Sequence, residues 1–175
     1  MPSDDQVNFI IRPGVADDLL GYLEICQQSA AQAYSHPTIN QLDLFSAEHF
    51  FHPSIMPYWR DMATNKLGNY WWVAESTSDQ KIIGGICLTD RGSHFEGRGF
   101  YVAPAWQHQG IGRQLMAERD KRVTKPLIFE VFAHADDTIA YHQRHGAVPT
   151  GVQRLIHWET WPEDISLTAL EFVKH

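Results

Sequence analysis

Cysteine is scarce in this 175-residue chain: Cys26 and Cys87 are the two occurrences, 61 positions apart. Neither has a second cysteine nearby, which excludes a disulfide framework and a Cys-x-x-Cys metal knuckle. Both are expected to be buried free thiols. Long apolar runs are missing as well; nothing approaches the roughly 18 consecutive apolar residues of a membrane-spanning helix. The start, Met1-Pro2-Ser3-Asp4-Asp5-Gln6, has neither the basic residues nor the apolar stretch of a secretory signal, so a cytoplasmic protein without a membrane partner is expected. Repeats, low-complexity tracts and Pro/Gly/Ser linkers are absent, and the expectation is a single domain over residues 1–175. Cations are in deficit, 14 Lys+Arg against 21 Asp+Glu for a net charge of −7, which argues against a nucleic-acid binder.

The charge that is present is uneven. Between residues 98 and 125 stand Arg98, Arg113, Arg119, Lys121, Arg122 and Lys125 against Glu118 and Asp120, a local excess of 6 − 2 = +4. Such an excess suits a small polyanion, and equally a solvated basic helix face.

Periodicity places the elements around it. Residues 7–12 (VNFIIR) read as a strand ended by Pro13-Gly14, and residues 15–34 have helical spacing. The stretch 35–68 is irregular, with Ser46 as an N-cap and Pro53 and Pro57 as breaks. Its Phe45, Phe50, Phe51, Tyr58 and Trp59 are expected to be mostly core. YWWVAE (70–75) and KIIGGICL (81–88) form a hairpin over a five-residue polar loop. HFEGRGFYV (94–102) is a strand with Glu96, Arg98, Phe100 and Val102 on one face, its glycines hinting at a close approach or a bulge. A helix follows from about 110 to 123, burying Ile111, Leu115 and Met116; then come a strand at 127–132 and a short helix at 136–145, with Asp136 or Asp137 as N-cap and Gly146 after its end. Strands at 152–158 and 165–173 complete an α/β chain with a mixed sheet.

The most informative segment is residues 101–116 (YVAPAWQHQGIGRQLM). A strand ends at Val102, Pro104 closes a turn, and Gln107-x-x-Gly110-x-Gly112 leads into a helix. The N–H groups of residues 109–113 are then unsatisfied helix-start donors, with the positive end of the helix dipole at the same place. Phosphate oxygens bind such a place, with Arg113 adding charge. There is no Gly-Lys-Ser/Thr for a nucleoside-triphosphate loop, and Leu115 occupies the third glycine position of a dinucleotide fingerprint.

This segment resembles the acetyl-coenzyme A motif of the GNAT superfamily of N-acetyltransferases, V-x-P-x-x-[RQ]-x-x-G-x-[GA], matched by Val102, Pro104, Gln107, Gly110 and Gly112. Phe129-Glu130-Val131, followed by Gly146, resembles the family's fifth strand, helix and closing glycine. The resemblance implies a mostly antiparallel sheet of about seven strands, splayed between strands four and five, with about four helices. It implies acetyl-coenzyme A held in the splay by Tyr101, Val102, Gln107, His108, Gln109, Gly110, Ile111, Gly112 and Arg113, an N–H near Val102 polarising the thioester carbonyl, and no metal. Family members commonly form dimers, so a homodimer is compatible with this reading.

Attack by an amine on a thioester needs a base and, for the departing thiolate, an acid. Glu96, six residues before Val102, matches the position of a general-base glutamate in some family members; pairing with Arg98 is the bland alternative. The family's acid is a tyrosine four residues before the glycine, where this chain has His142, with Tyr141 beside it. An unperturbed histidine, with a pKa of about 6.5, exchanges protons readily. Ala135 replaces the asparagine often found at the start of that helix. The turn 157–164 (HWETWPED) supplies Trp158 and Trp161 as candidate acceptor walls, and Glu159, Glu163 and Asp164 favour a cationic amine. His49-x-x-His52 and His142-x-x-His145 lack a third ligand, so no metal is expected. Two functions follow: an acetyltransferase acting on a primary amine of a small molecule or peptide, or a non-catalytic acetyl-coenzyme A-binding regulatory module.

Overall fold

The computed structural model describes residues 8–175. Val7 and the amino-terminal segment read above for export lie outside them. The elements run β1 (Phe9–Pro13), α1 (Leu19–Ala33), α2 (Pro37–Leu42), α3 (Ala47–Phe50), α4 (Met56–Met62), β2 (Asn69–Ser76), β3 (Ile82–Asp90), β4 (Phe95–Val102), α5 (Ile111–Asp120), β5 (Leu127–Phe132), α6 (Asp136–Arg144), β6 (Val148–Ile156) and β7 (Leu167–Lys174), with 3-10 turns at Ala16–Asp18 and Pro104–Trp106. Among the described residues six α-helices stand where about four were expected. The surplus lies in the irregular stretch before β2, where Pro37 opens α2 and Pro57 sits in the first turn of α4. Ser46 accepts a hydrogen bond from the His49 amide and so caps α3. At α6 the N-cap is Ala135, without a side-chain bond; Asp136 and Asp137 lie inside the first turn, where their charge favours the helix dipole.

One seven-stranded sheet has the order β1-β2-β3-β4-β5-β7-β6, and every neighbouring pair is antiparallel except β4 and β5. Each sheet face has its own core, because successive strand residues point to opposite sides. One side gathers Trp72, Ile86, Leu88, Leu115, Leu127 and Phe172 under α5 and α6. The other gathers Tyr22, Leu23, Phe50, Trp59, Trp71 and Trp161 under α1 to α4. Phe45, Phe50 and Trp59 are buried as expected, whereas Tyr58 is 47% exposed. Cys26 and Cys87 are buried free thiols on the second side. The edge strand β6 exposes every residue except Ile156. Among the described residues no helix is long and apolar enough to cross a membrane.

The alternation expected for residues 94–102 does not survive folding. Register slips between Gly85 and Cys87, which pair with Tyr101 and Arg98, so Gly99 and Phe100 share the place opposite Ile86. Gly99 takes φ +59°, the left-handed conformation that such a bulge needs. The extra residue reverses the facing of everything after it. Arg98, opposite Cys87, and Tyr101 face the α1–α4 core, while Phe100 and Val102 pack with the α5 side. Glu96 therefore shares a face with Arg98 and Tyr101, and not with Phe100 and Val102.

Candidate active site

The parallel β4–β5 pairing is short. It holds at Phe95 with Leu127 and Glu96 with Ile128 and then ends, while β5 stays paired to β7 from Leu127 to Phe132. Beyond Glu96 the sheet is split into a V with its closed end at that residue. A cavity of about 320 Å³ follows the V on the α1–α4 side; its walls include Glu96, Arg98 and Tyr101 of β4, Phe132 of β5, and Tyr34, Tyr58, Trp59 and Trp158. Ala103 donates its N–H to Ile83 of β3. Amides alternate along a strand, so the Val102 N–H faces the opening. The Val102 carbonyl is occupied by the Ser29 hydroxyl at 2.9 Å and the Gln107 amide at 3.2 Å.

At the open end of β4 the chain makes the turn expected from its glycines. Gly110 is the N-cap of α5 with φ +84°, where a Cβ would be strained, and it offers no side chain to cap the helix. The Ile111, Gly112 and Arg113 N–H groups precede the first intrahelical bond, Gln114 N–H to the Gly110 carbonyl at 3.1 Å. Gly112 is required by packing. A Cβ there would lie 3.2 Å from Phe100 Cζ and 3.4 Å from Tyr141 Oη, so its smallness lets α5 sit against β4 and α6. Gln107 braces the turn through Val102, Gln109 donates to the Ala105 carbonyl at 3.3 Å, and His108 has φ +63°.

The local charge excess is dispersed by folding. Arg119 is buried against Asp120, Lys121 pairs with Glu118, Lys125 with Asp90 at 2.7 Å, and Arg98 lies in the cavity on the opposite side of the sheet. Arg113, exposed in the first turn of α5, is the cation at the helix start. Positive potential there comes from the uncapped helix end and this one side chain.

The acid–base candidates are placed unequally. Glu96 lines the cavity, but its carboxylate accepts from Arg91 Nε at 2.6 Å and lies 3.6 Å from Arg98 Nε. His142 stands over the split on the α5 side, its ring 4.5 Å from Phe129 of β5 and 6.1 Å from Phe100 of β4. Burial, aided by the positive charge of Arg119, lowers its pKa to about 4. The ring is therefore neutral at pH 7, and the ready proton exchange expected of an unperturbed histidine does not apply. Tyr141 points elsewhere, its hydroxyl toward Met116 Sδ at 4.0 Å, with burial raising its pKa.

Of the two tryptophans expected at the acceptor wall, only Trp158 lines the cavity. Trp161 is 3% exposed, donates its indole N–H to the Leu44 carbonyl at 2.9 Å and stacks behind Trp158 with centroids 5.2 Å apart. Glu159, Glu163 and Asp164 are exposed and do not line the cavity. Its wall instead comes from residues with no local signal of function: Tyr34 at the end of α1, Tyr58 and Trp59 of α4, and the Arg154–Glu130 pair bridging β6 and β5 at 2.6 Å. Burial pushes the Tyr34 and Tyr101 hydroxyls up, so both are protonated where they meet at 3.5 Å. Among the described residues no group of three or more His, Cys, Asp or Glu is placed to hold a metal ion.

The family model for the acetyltransferase (GNAT) domain matches residues 68–146, the span from β2 through the split and α5 to the end of α6. No curated protein matches the chain. Solved structures do. The PaiA N-acetyltransferase of Thermoplasma acidophilum, crystallised with coenzyme A, is 20% identical over 93% of this chain and 97% of its own, with a TM-score of 0.60. For the ribosomal-protein-S18-alanine N-acetyltransferase of Escherichia coli the values are 19%, 95%, 92% and 0.62. For a GNAT family acetyltransferase of Elizabethkingia anophelis with acetyl-CoA bound they are 17%, 97%, 99% and 0.57. At these identities the likeness is one of fold, and it extends over nearly the whole chain. With the motif at 102–112, the split after Glu96 and the matched segment in agreement, residues 68–146 match a GNAT acetyltransferase domain and the chain has the fold of the GNAT acetyltransferases.

Proposed function

We propose that this protein moves an acetyl group from acetyl-coenzyme A to a primary amine of a small molecule or peptide by direct attack. The observation that carries the reading is the split beside β4, closed at Glu96 and ending at an uncapped helix start. Each part suits one part of the donor. The Ile111, Gly112 and Arg113 amides, with the Arg113 side chain, suit the pyrophosphate; the unpaired β4 edge suits the pantetheine amides. The Val102 N–H, facing the opening, suits the thioester oxygen and the negative charge that develops on it. Superfamily members crystallised with coenzyme A and acetyl-CoA support the choice of donor.

The acceptor approaches from the cavity, since Glu96, Tyr101 and Trp158 line it on the side opposite α5. Glu96 is the proposed acceptor of the amine's proton. His142, neutral and over the split, is proposed to hold the departing sulfur through a ring N–H hydrogen bond. A thiol of pKa about 8.5 is a tolerable leaving group under those conditions.

Calorimetry with acetyl-coenzyme A, followed by thiol release over an amine panel, tests this reading. Binding with release on at least one amine is expected; absence of binding refutes it. The regulatory-module reading draws on Ala135 and His142 standing in place of the usual asparagine and tyrosine, and binding without release on any amine favours it.

A further inference from the structure

The cavity carries more information than its position, because its charged groups are unequally satisfied. Three other arginines grip carboxylates through two or more guanidinium nitrogens. Arg12 grips Asp18 and Glu75, Arg119 holds Asp120 through Nε and Nη2, and Arg154 holds Glu130 through Nε at 2.9 Å and Nη2 at 2.6 Å. Arg98 does not. Among the described residues its guanidinium makes one hydrogen bond, from Nη2 to the Thr89 hydroxyl at 2.8 Å, and its Nε is buried without a hydrogen-bond partner. Thr89 is itself fixed by donating to Asn69 Oδ1 at 2.6 Å, and the Tyr58 ring lies 5.8 Å from the guanidinium carbon, so the group is positioned as well as under-used. The nearest carboxylate, Glu96, lies 3.6 Å from Arg98 Nε, an ion pair without a hydrogen bond, and accepts its hydrogen bond from Arg91.

The carboxylates show the converse. Glu96 has Arg91, Glu130 has Arg154, and Glu171 accepts from the Thr150 hydroxyl at 2.8 Å. A polycationic acceptor would find two of the three already paired with arginine. Much of the remaining wall is aromatic: Tyr34 meets Phe132 edge-on at 4.8 Å, and Trp158 packs against Trp59 at 5.9 Å.

We infer that the acceptor is an α-amino acid with a large apolar or aromatic side chain, its carboxylate bound by Arg98, its side chain among Tyr34, Trp59, Phe132 and Trp158, and its amine presented to the split. This rests on the proposed acetyl transfer. In that step the amine nitrogen forms the C–N bond to the acetyl carbon and the C–S bond breaks, its electron pair leaving on the coenzyme sulfur. The proton lost by the nitrogen passes to Glu96 or water, and the thiolate is protonated from solvent. It replaces the expectation of a cationic acceptor drawn from the 157–164 turn, whose acidic residues lie outside the cavity.

The test compares thiol release with L-tryptophan, L-phenylalanine and L-methionine against tryptamine, phenethylamine and spermidine, in the wild-type protein and in Arg98→Met and Arg98→Lys. A charged hydrogen bond lost from a desolvated site corresponds to about 10- to 100-fold in affinity. The wild type should favour L-tryptophan over tryptamine and L-phenylalanine over phenethylamine by that factor in kcat/KM. Arg98→Met should raise the amino-acid KM by a similar factor and erase the preference, Arg98→Lys should restore part of it, and acetyl-coenzyme A affinity should stay unchanged in both. An equal or better rate with tryptamine, phenethylamine or spermidine overturns the inference and leaves the acetyltransferase reading standing, as does an unchanged KM in Arg98→Met. Failure to bind acetyl-coenzyme A overturns both. Retained acetyl-coenzyme A binding in the variants excludes misfolding as the cause of their loss.

Discussion

Gly99→Ala tests the bulge that sets which β4 side chains enter the cavity. The substitution has two separable costs. At φ +59° an alanine sits in the left-handed region, a penalty of about 1–2 kcal/mol. Its Cβ would also collide with the Tyr22 hydroxyl and come within 2.9 Å of Met62 Cε. Neither neighbour has room to give, since Tyr22 and Met62 are 0% and 1% exposed and the Tyr22 hydroxyl is tied to the Gly99 carbonyl. Overpacking of this kind costs about 1–3 kcal/mol, for a total of about 2–5 kcal/mol, a large part of the roughly 5–15 kcal/mol by which domains are stable. Gly92→Ala is the control: φ is +84° there, with nothing within 4 Å of the added carbon, so only the backbone cost applies. Urea unfolding of both variants, followed by tryptophan fluorescence, gives the difference. A Gly99→Ala cost no greater than that of Gly92→Ala refutes the claim that the bulge is locked by Tyr22 and Met62.

Further tests address the site. His142 takes up its proton below its unfolded value of 6.5, at about 4, so the unfolded chain binds more protons between those values. Stability should fall by up to about 3 kcal/mol as pH drops through that window, and not above it; a His142→Gln variant whose urea midpoints keep the wild-type pH slope contradicts this. For catalysis, His142→Ala should lower kcat throughout pH 6 to 9 without revealing a limb near 6.5, and wild-type kcat in the variant removes His142 from the mechanism. Glu96→Gln should reduce kcat by about 10²-fold or more with acetyl-coenzyme A affinity intact; an unaltered kcat assigns the base elsewhere. Trp161→Phe strands the Leu44 carbonyl, so a loss of about 1–3 kcal/mol is expected in thermal unfolding, and an unchanged melting temperature contradicts it.

Local pattern carried far in this chain. The hydrophobic periodicities, the proline and glycine stops and the Val102-to-Gly112 motif are properties of contiguous residues. They determine β5 at 127–132, the helix start after Gly110 and the succession of helices and strands along the chain, because backbone hydrogen bonding and side-chain period are settled within a few positions, whereas the splayed sheet was implied by the family resemblance. The two glycines of β4 also announced an irregularity, although not its consequence. A single left-handed residue moves every later side chain to the other face, and its position depends on pairing with β3, which the β4 sequence does not contain. The acceptor wall was illegible for a similar reason: Tyr34, Trp59, Phe132 and Trp158 are far apart along the chain and meet only when the sheet splits and α1 to α4 cover one face. Arg98 looked like one member of a basic stripe until folding paired half of that stripe with carboxylates and left this guanidinium with a buried, unbonded Nε in a cavity. His142 was found by its spacing from Gly146, but its charge state is set by Phe129, Phe100 and Arg119, which only the tertiary structure brings against it. The sequence alone determined the run of elements along the chain and the uncapped helix start after Gly110, since both rest on local backbone geometry. Only the tertiary structure decided which side chains face the cavity and in what charge state, because desolvation and pairing are set by residues distant in the chain.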